Sequence, residues 1–307
     1  MNKHLFDTSS GILALVAVAA YFGVTAVLAR YLSANNGIFE QWYLRYGIAF
    51  ILSLIIFRKR IIYKKILHLP MKEWLVLIFR VITGSIIAVA LYTMASQQAK
   101  IGPVAFMQAF PSMAILSVII MKEKLTLKKG LLVMFSFLGV IIVVVENPHD
   151  LLSFNIGEIY SLISGIFFAL MFITRKWHTG ILNNHEITVA LLGLGFVANY
   201  ILSVILYHRL FAETNQWSVL FIAILFFAGV GAVGNIFFLN YGFERVSGII
   251  AGNIMNLEQV FGPIFGYIFY HELLSGREII GGIIILISAV MMNMLTKKEI
   301  KSVVIPD

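Results

Sequence analysis

The chain has 307 residues, 60% hydrophobic and 12% charged, with a net charge of +8 and no cysteine. A soluble domain has about a quarter of its residues charged, so this composition excludes an ordinary soluble fold. The missing cysteine excludes disulfides and thiolate chemistry, and the positive charge reads as basic loops beside a membrane rather than as a nucleic-acid surface.

Ten apolar helices are predicted in chain order, near residues 11–30, 38–57, 74–96, 101–121, 129–146, 157–175, 187–207, 217–243, 246–270 and 277–296. A bilayer core needs about 20 helical residues, and the short gaps leave no room for a soluble domain. The first run is uncharged from Gly11 to Ala29 and ends at Arg30. It lacks the cleavage pattern of a signal peptide and reads as a retained helix. The second opens on Trp42, Tyr43 and Tyr46 and holds Arg45; the third holds Arg80 and Tyr92. Both arginines lie about two turns inside their spans and read as gating or structural charges. The ninth run, Val246 to Tyr270, carries a single charge, Glu258, twelve positions from either end.

Lysine and arginine counts set the expected orientation. With the N-terminus inside, inner segments hold seventeen basic residues and outer segments hold four, Arg30, Lys100, Arg209 and Arg277. This predicts a multi-pass protein of the cell inner membrane with both termini cytoplasmic.

The two halves resemble each other. GPVAFMQAFPSMAILSVIIMKEKLT (102–126) aligns without a gap on AGNIMNLEQVFGPIFGYIFYHELLS (251–275), so that Glu123 meets Glu272 and Thr126 meets Ser275. GILALVAVAAYFGVTAVLAR (11–30) aligns on GEIYSLISGIFFALMFITRK (157–176), placing Phe22 on Phe168. Five helices per half is an odd number, so the second half enters the membrane from the opposite side. Inverted repeats put a transporter's binding site near the midplane, beside helices interrupted at matching places. Pro111 and Pro263 are the predicted helix breaks, freeing the carbonyls of Met107 and Gln259. The expected fold is all-α and integral to the membrane, with ten transmembrane helices as two inverted five-helix repeats. The first repeat spans residues 1–146, the second 156–296, and a cytoplasmic tail 297–307.

These features resemble the drug/metabolite transporter superfamily, and within it the EamA-type exporters. The resemblance rests on PSMAILSVIIMKEKLT and EQVFGPIFGYIFYHELLS, on Arg45 in WYLRYGIAF and on FRVITG at the start of the third span. It covers nearly the whole chain. The family often has Glu-Pro in the middle of the second-repeat helix, where this chain has Glu258-Gln259. The resemblance implies alternating access in a carrier for small organic solutes, with export as the expected direction.

An ionised carboxylate at mid-membrane costs roughly 3 kcal/mol and marks a functional site by default. Glu258 therefore reads as a site for a proton or for a substrate's ammonium group. Gln259, Asn256, Gln108, Tyr92, Phe22, Phe168, Trp42 and Tyr43 are the other candidate substrate-binding residues, with packing and helix-to-helix glue as their ordinary alternative. Glu123 and Glu272 read as structural. No phosphate loop, metal-binding H-E-x-x-H or G-x-S-x-G elbow is present, so no cofactor or metal is expected. The expected partners are a small-molecule substrate and the lipid bilayer, with the chain a monomer or weak homodimer. The leading expectation is a secondary carrier exporting amino acids or related amphipathic metabolites. Alternatives are an uptake permease for a cation such as S-adenosylmethionine and a membrane-embedded lipid-modifying enzyme.

Overall fold

The computed structural model describes residues 3–32, 37–98, 107–145, 156–213, 217–271, 273 and 275–304. Glu272, residues 99–106 and residues 146–155 lie outside them, as do the side chains of Arg30 and Pro263.

The described residues form helices joined by turns and short irregular segments, with no strand among them. The helices are α1 (Lys3–Leu32), α2 (Ile38–Ile56), α3 (Tyr63–Leu67), α4 (Met71–Arg80), α5 (Val89–Gln98), α6 (Ser112–Met121), α7 (Leu127–Val144), α8 (Ile156–Ile173), α9 (Asn184–Tyr207), α10 (Val219–Arg245), α11 (Gly248–Met255), α12 (Glu258–Tyr270) and α13 (Gly276–Val304). A π-helical stretch, Val81–Ala88, joins α4 to α5. Among the described residues six helices are long and apolar enough to cross a membrane. The expected second and fifth spans form helices of 19 and 18 residues. The fourth is described only from residue 107, and the ninth is divided between α11 and α12. The last helix runs on to Val304, into the segment expected to be a tail.

Polar side chains define the helix ends. Ser218, Ser247 and Thr126 each accept a backbone N–H three residues on, at the starts of α10, α11 and α7. Asn183 and Glu186 form a reciprocal capping box at the start of α9, satisfying donors that an isolated helix start leaves open.

The two halves of the chain interlock. The third-span helix α5 packs on α8, and α10 packs on α1. The pairs α2 with α9, α6 with α11 and α7 with α13 also form. Exchanging first-half helices for their second-half counterparts maps this set of contacts onto itself. Close approach needs glycine in places: a Cβ on Gly281 would stand 2.5 Å from the Gly139 carbonyl oxygen across the α7–α13 contact.

The basic loops gather at one end of the bundle. There Asn183 Nδ2 donates to the Arg60 carbonyl, Lys176 pairs with Glu123 and Arg175 pairs with Glu244 at 3.1 Å. At the opposite end Arg209 grips Glu40 with two bonds of 2.7 Å, and Arg277 donates to the Val145 carbonyl.

Candidate functional site

The chain between α11 and α12 turns at Asn256–Leu257, so α12 begins at Glu258. The carboxylate therefore sits at a helix N-terminus, where the backbone dipoles favour negative charge. It is half-buried and has no ion-pair partner among the described residues. Tyr92, from α5 of the first half, lies within electrostatic reach of it. Gln259 follows on the next position, half-buried.

The break differs from the expectation at Pro263. That residue lies inside a continuous α12, as its sixth position, and the interruption comes earlier. The one intrahelical bond the proline removes involves Gln259, in the first turn of the new helix, where its loss disturbs little. Pro111, by contrast, is the residue immediately before α6. The Met107 carbonyl is not left free: Phe110 N–H donates to it at 3.3 Å. Gln108 packs its backbone on Gly165 of α8, where a Cβ would be 3.1 Å from the Gln108 carbonyl oxygen. The Gln108 side chain accepts from Ser161 Oγ at 3.5 Å.

Phe22 and Phe168 come together through Phe172, with ring centroids 6.4 and 5.9 Å from it. Phe172 stacks in turn on Phe243 at 5.2 Å. Next to Phe22, Gly23 lets α1 cross α12 closely, a Cβ there falling 2.9 Å from the Phe261 Cβ. Phe261 is three residues from Glu258, so this crossing lies one turn from the carboxylate.

Other candidates have structural work. Asn256 donates to Ser136 Oγ at 3.0 Å and Asn253 to Ser288 Oγ at 2.9 Å, tying α11 and its end to α7 and α13. Tyr43 is buried, accepts the Ala212 N–H at 3.0 Å and packs edge-on against Tyr200. It braces α2 on α9, so the aromatic run at the start of α2 splits. Trp42 and Tyr46 take another face, 5.5 Å apart, with the Arg45 guanidinium 4.4 Å from the Trp42 ring. Tyr46 and Ser85 of the π-helical stretch both border Gly195 of α9.

Arg80 is fully buried; its Nε donates to the Met171 carbonyl at 3.1 Å and a second nitrogen meets His178 Nε2 at 3.3 Å. His178 Nδ1 lies 2.6 Å from Glu73, whose carboxylate also accepts from the Thr179 N–H. Arginine only donates, so Nε2 accepts, and the imidazole is neutral with its proton on Nδ1. Burial, and then the Arg80 charge, push the His178 pKa down to about 4. This Glu73–His178–Arg80 chain was not legible in the sequence, where Glu73 and His178 are 105 residues apart. Among the described residues no group of three His, Cys, Asp or Glu could hold a metal.

One groove of about 450 Å³ lies elsewhere, between α1 and α10, lined by Leu13, Ala17, Phe237 and Phe238 with Ser10 and Tyr241 at its edge. Leu13 is 71% exposed there, and the groove is apolar.

A family model described as the EamA-like transporter family matches the chain twice, over residues 9–145 and 155–294. The chain belongs to the EamA-like transporter family. It is a multi-pass membrane protein built from two EamA repeats, in keeping with the drug/metabolite transporter superfamily. The crystal structure of another protein shares the fold with a TM-score of 0.74 at 16% identity, over 96% of this chain and 99% of its own. No curated protein matches the chain.

Proposed function

We propose that the protein is a secondary carrier that moves a small amphipathic metabolite across the cell inner membrane by alternating access between two inverted five-helix repeats. Both termini face the cytoplasm in this reading, the ten predicted helices all span, and the direction is export. The favoured cargo is an amino acid or a related compound. Glu258 answers the positive group of the solute, Tyr92 and Gln259 stand beside it, and Phe22 and Phe168 offer apolar surface. The observation that carries the reading is Glu258 itself: a half-buried carboxylate at a helix start with no cationic partner among the described residues. A charge at that depth needs a counter-charge or a proton. A cationic solute, or a proton moved in exchange, supplies it.

The test is flux into proteoliposomes of a labelled amino-acid panel that includes S-adenosylmethionine, with wild type beside Glu258→Gln and with and without a pH gradient. Saturable wild-type flux reduced at least tenfold in a folded Glu258→Gln protein supports the reading. Equal flux in the two proteins makes Glu258 structural. Flux indifferent to the gradient removes the proton, and movement of S-adenosylmethionine alone turns the carrier into a cation permease.

A further inference from the structure

Arg45 is the buried cation that the arrangement above does not use. It is 3% exposed and sits seven residues into α2, about 10 Å along the helix. At that burial its side chain is covered by protein. A guanidinium carries five N–H donors and does not lose its proton in a protein.

Arg80, Arg175, Arg209 and Arg277 all reach acceptors, although Arg80 and Arg175 each keep one buried nitrogen without a partner. Arg80 has the Met171 carbonyl and His178. Arg175 has Glu244 and Asn184, Arg209 has Glu40, and Arg277 has the Val145 carbonyl. Arg45 has only the face of Trp42 at 4.4 Å, which attracts the charge but satisfies none of the directed N–H donors. Its Nε is enclosed without an acceptor. The acid nearest in sequence, Glu40, is taken by Arg209 and by the Gly37 N–H. Among the described residues no acid pairs with the Arg45 guanidinium, and its neighbour on the helix is Tyr46.

The position faces the junction of the two halves. α2 packs against α9 and α10 of the second half, and Gly229 of α10 lies against the Arg45 backbone. A rigid planar donor fork, held by an aromatic ring and lacking an anion, matches carboxylate geometry.

We infer that Arg45, with Trp42 as its rest, is the anion-recognition position for the transported solute, so that the solute carries a carboxylate. This rests on the carrier reading above. With Glu258 answering a positive group, the cargo is then a zwitterion and not a simple cation.

Labelled leucine and phenylalanine, each beside its own amide, test this, because the amide removes only the carboxylate charge. Counterflow is measured in wild type, Arg45→Lys and Arg45→Gln, and thermal stabilisation by each compound is measured on purified wild type. The expected result is a wild-type preference for acid over amide of at least tenfold in flux. That ratio falls toward one in Arg45→Gln and part-way in Arg45→Lys, and the acid stabilises wild type where the amide does not. A preference unchanged in folded Arg45→Gln overturns the inference. If both variants fail to fold, equal stabilisation of wild type by acid and amide, or stabilisation by neither, overturns it without them. Flux without a carboxylate preference sinks the Arg45 site and leaves the carrier. Carboxylate-selective stabilisation without any flux leaves the Arg45 site and sinks the carrier.

Discussion

Lys122 and His271, 149 positions apart, turn the chain in the same left-handed conformation, with φ of 53° and 55°. Each ends an apolar helix, α6 and α12, and each directly precedes the glutamate of an E-x-L-[ST] motif. The motif thus has a local physical meaning. A left-handed residue stops the helix, a glutamate follows, and the hydroxyl residue comes just before the next helix. Thr126 is the observed cap of α7, and Ser275 immediately precedes α13. A side chain in this backbone region costs roughly 1–2 kcal/mol that glycine does not incur, against about 0.5–1 kcal/mol for glycine's freer unfolded chain. Lys122→Gly and His271→Gly should hold or slightly raise the melting temperature in detergent, while the β-branched Lys122→Val lowers it. Glycine and valine lowering it equally would refute the strain at these turns.

Glu123 joins the two halves at the basic end. Its carboxylate accepts from Gly248 N–H at 3.0 Å and Ile249 N–H at 3.2 Å, and from Lys176 Nζ at 2.8 Å. It therefore caps α11 from outside that helix. Loss of a cap costs about 0.5–2 kcal/mol, whereas the Lys176 pair, 30% exposed on the lysine side, is worth about 0–1 kcal/mol. Glu123→Ala should destabilise more than Lys176→Ala, and Glu123→Gln should recover part of the loss by keeping an acceptor. Melting curves of the three variants check this order, and Lys176→Ala proving the most damaging would reverse the assignment.

The neutral His178 makes stability depend on pH. Its folded pKa of about 4 is below the ordinary 6.5, so on acidification the unfolded chain takes up the proton first. The contribution is fully present above pH 6.5 and is lost as pH falls from 6.5 to 4. The gap corresponds to on the order of 3 kcal/mol. Wild type should melt progressively lower over that window, and His178→Gln should show a flatter profile. Parallel profiles would mean that His178 is not the titrating group.

Glycines separate into tight and open positions. At Gly281 an added methyl would meet backbone on two sides, the Gly139 oxygen at 2.5 Å and Val143 N at 2.9 Å. Backbone cannot swing aside as a side chain can, so Gly281→Ala should cost about 1–3 kcal/mol by overpacking α7 against α13. Gly262 has nothing within 4 Å of a built Cβ, and Gly262→Ala should stay within about 1 kcal/mol of wild type. Thermal stability in one detergent compares the pair. Equal loss in both would contradict the close α7–α13 approach.

Much of the architecture was readable in the residues. Apolar runs at helical length announced a membrane bundle, because a bilayer admits little else. The E-x-L-[ST] segments and the paired Phe22 and Phe168 announced two related halves. The candidate site was readable only in part. Glu258 stood out because a lone charge in an apolar run is costly wherever it lies. Asn256, Tyr43 and Trp42 did not sort themselves, since composition cannot say which face of a helix meets which neighbour.

The sequence by itself determined the class: an all-helical, two-repeat membrane protein with basic loops and a carboxylate in the ninth run. Local chemistry suffices for that, because hydropathy, charge and turn residues act within a few positions of the chain. Only the tertiary structure decided that Asn256 binds Ser136, that Tyr43 braces Ala212, that Glu73 reaches His178, and that Arg45 is left with an aromatic ring and no acid. Those outcomes depend on which side chains meet across 105 to 169 residues of chain, and a hydrogen bond or an ion pair exists only when both partners arrive at about 3 Å.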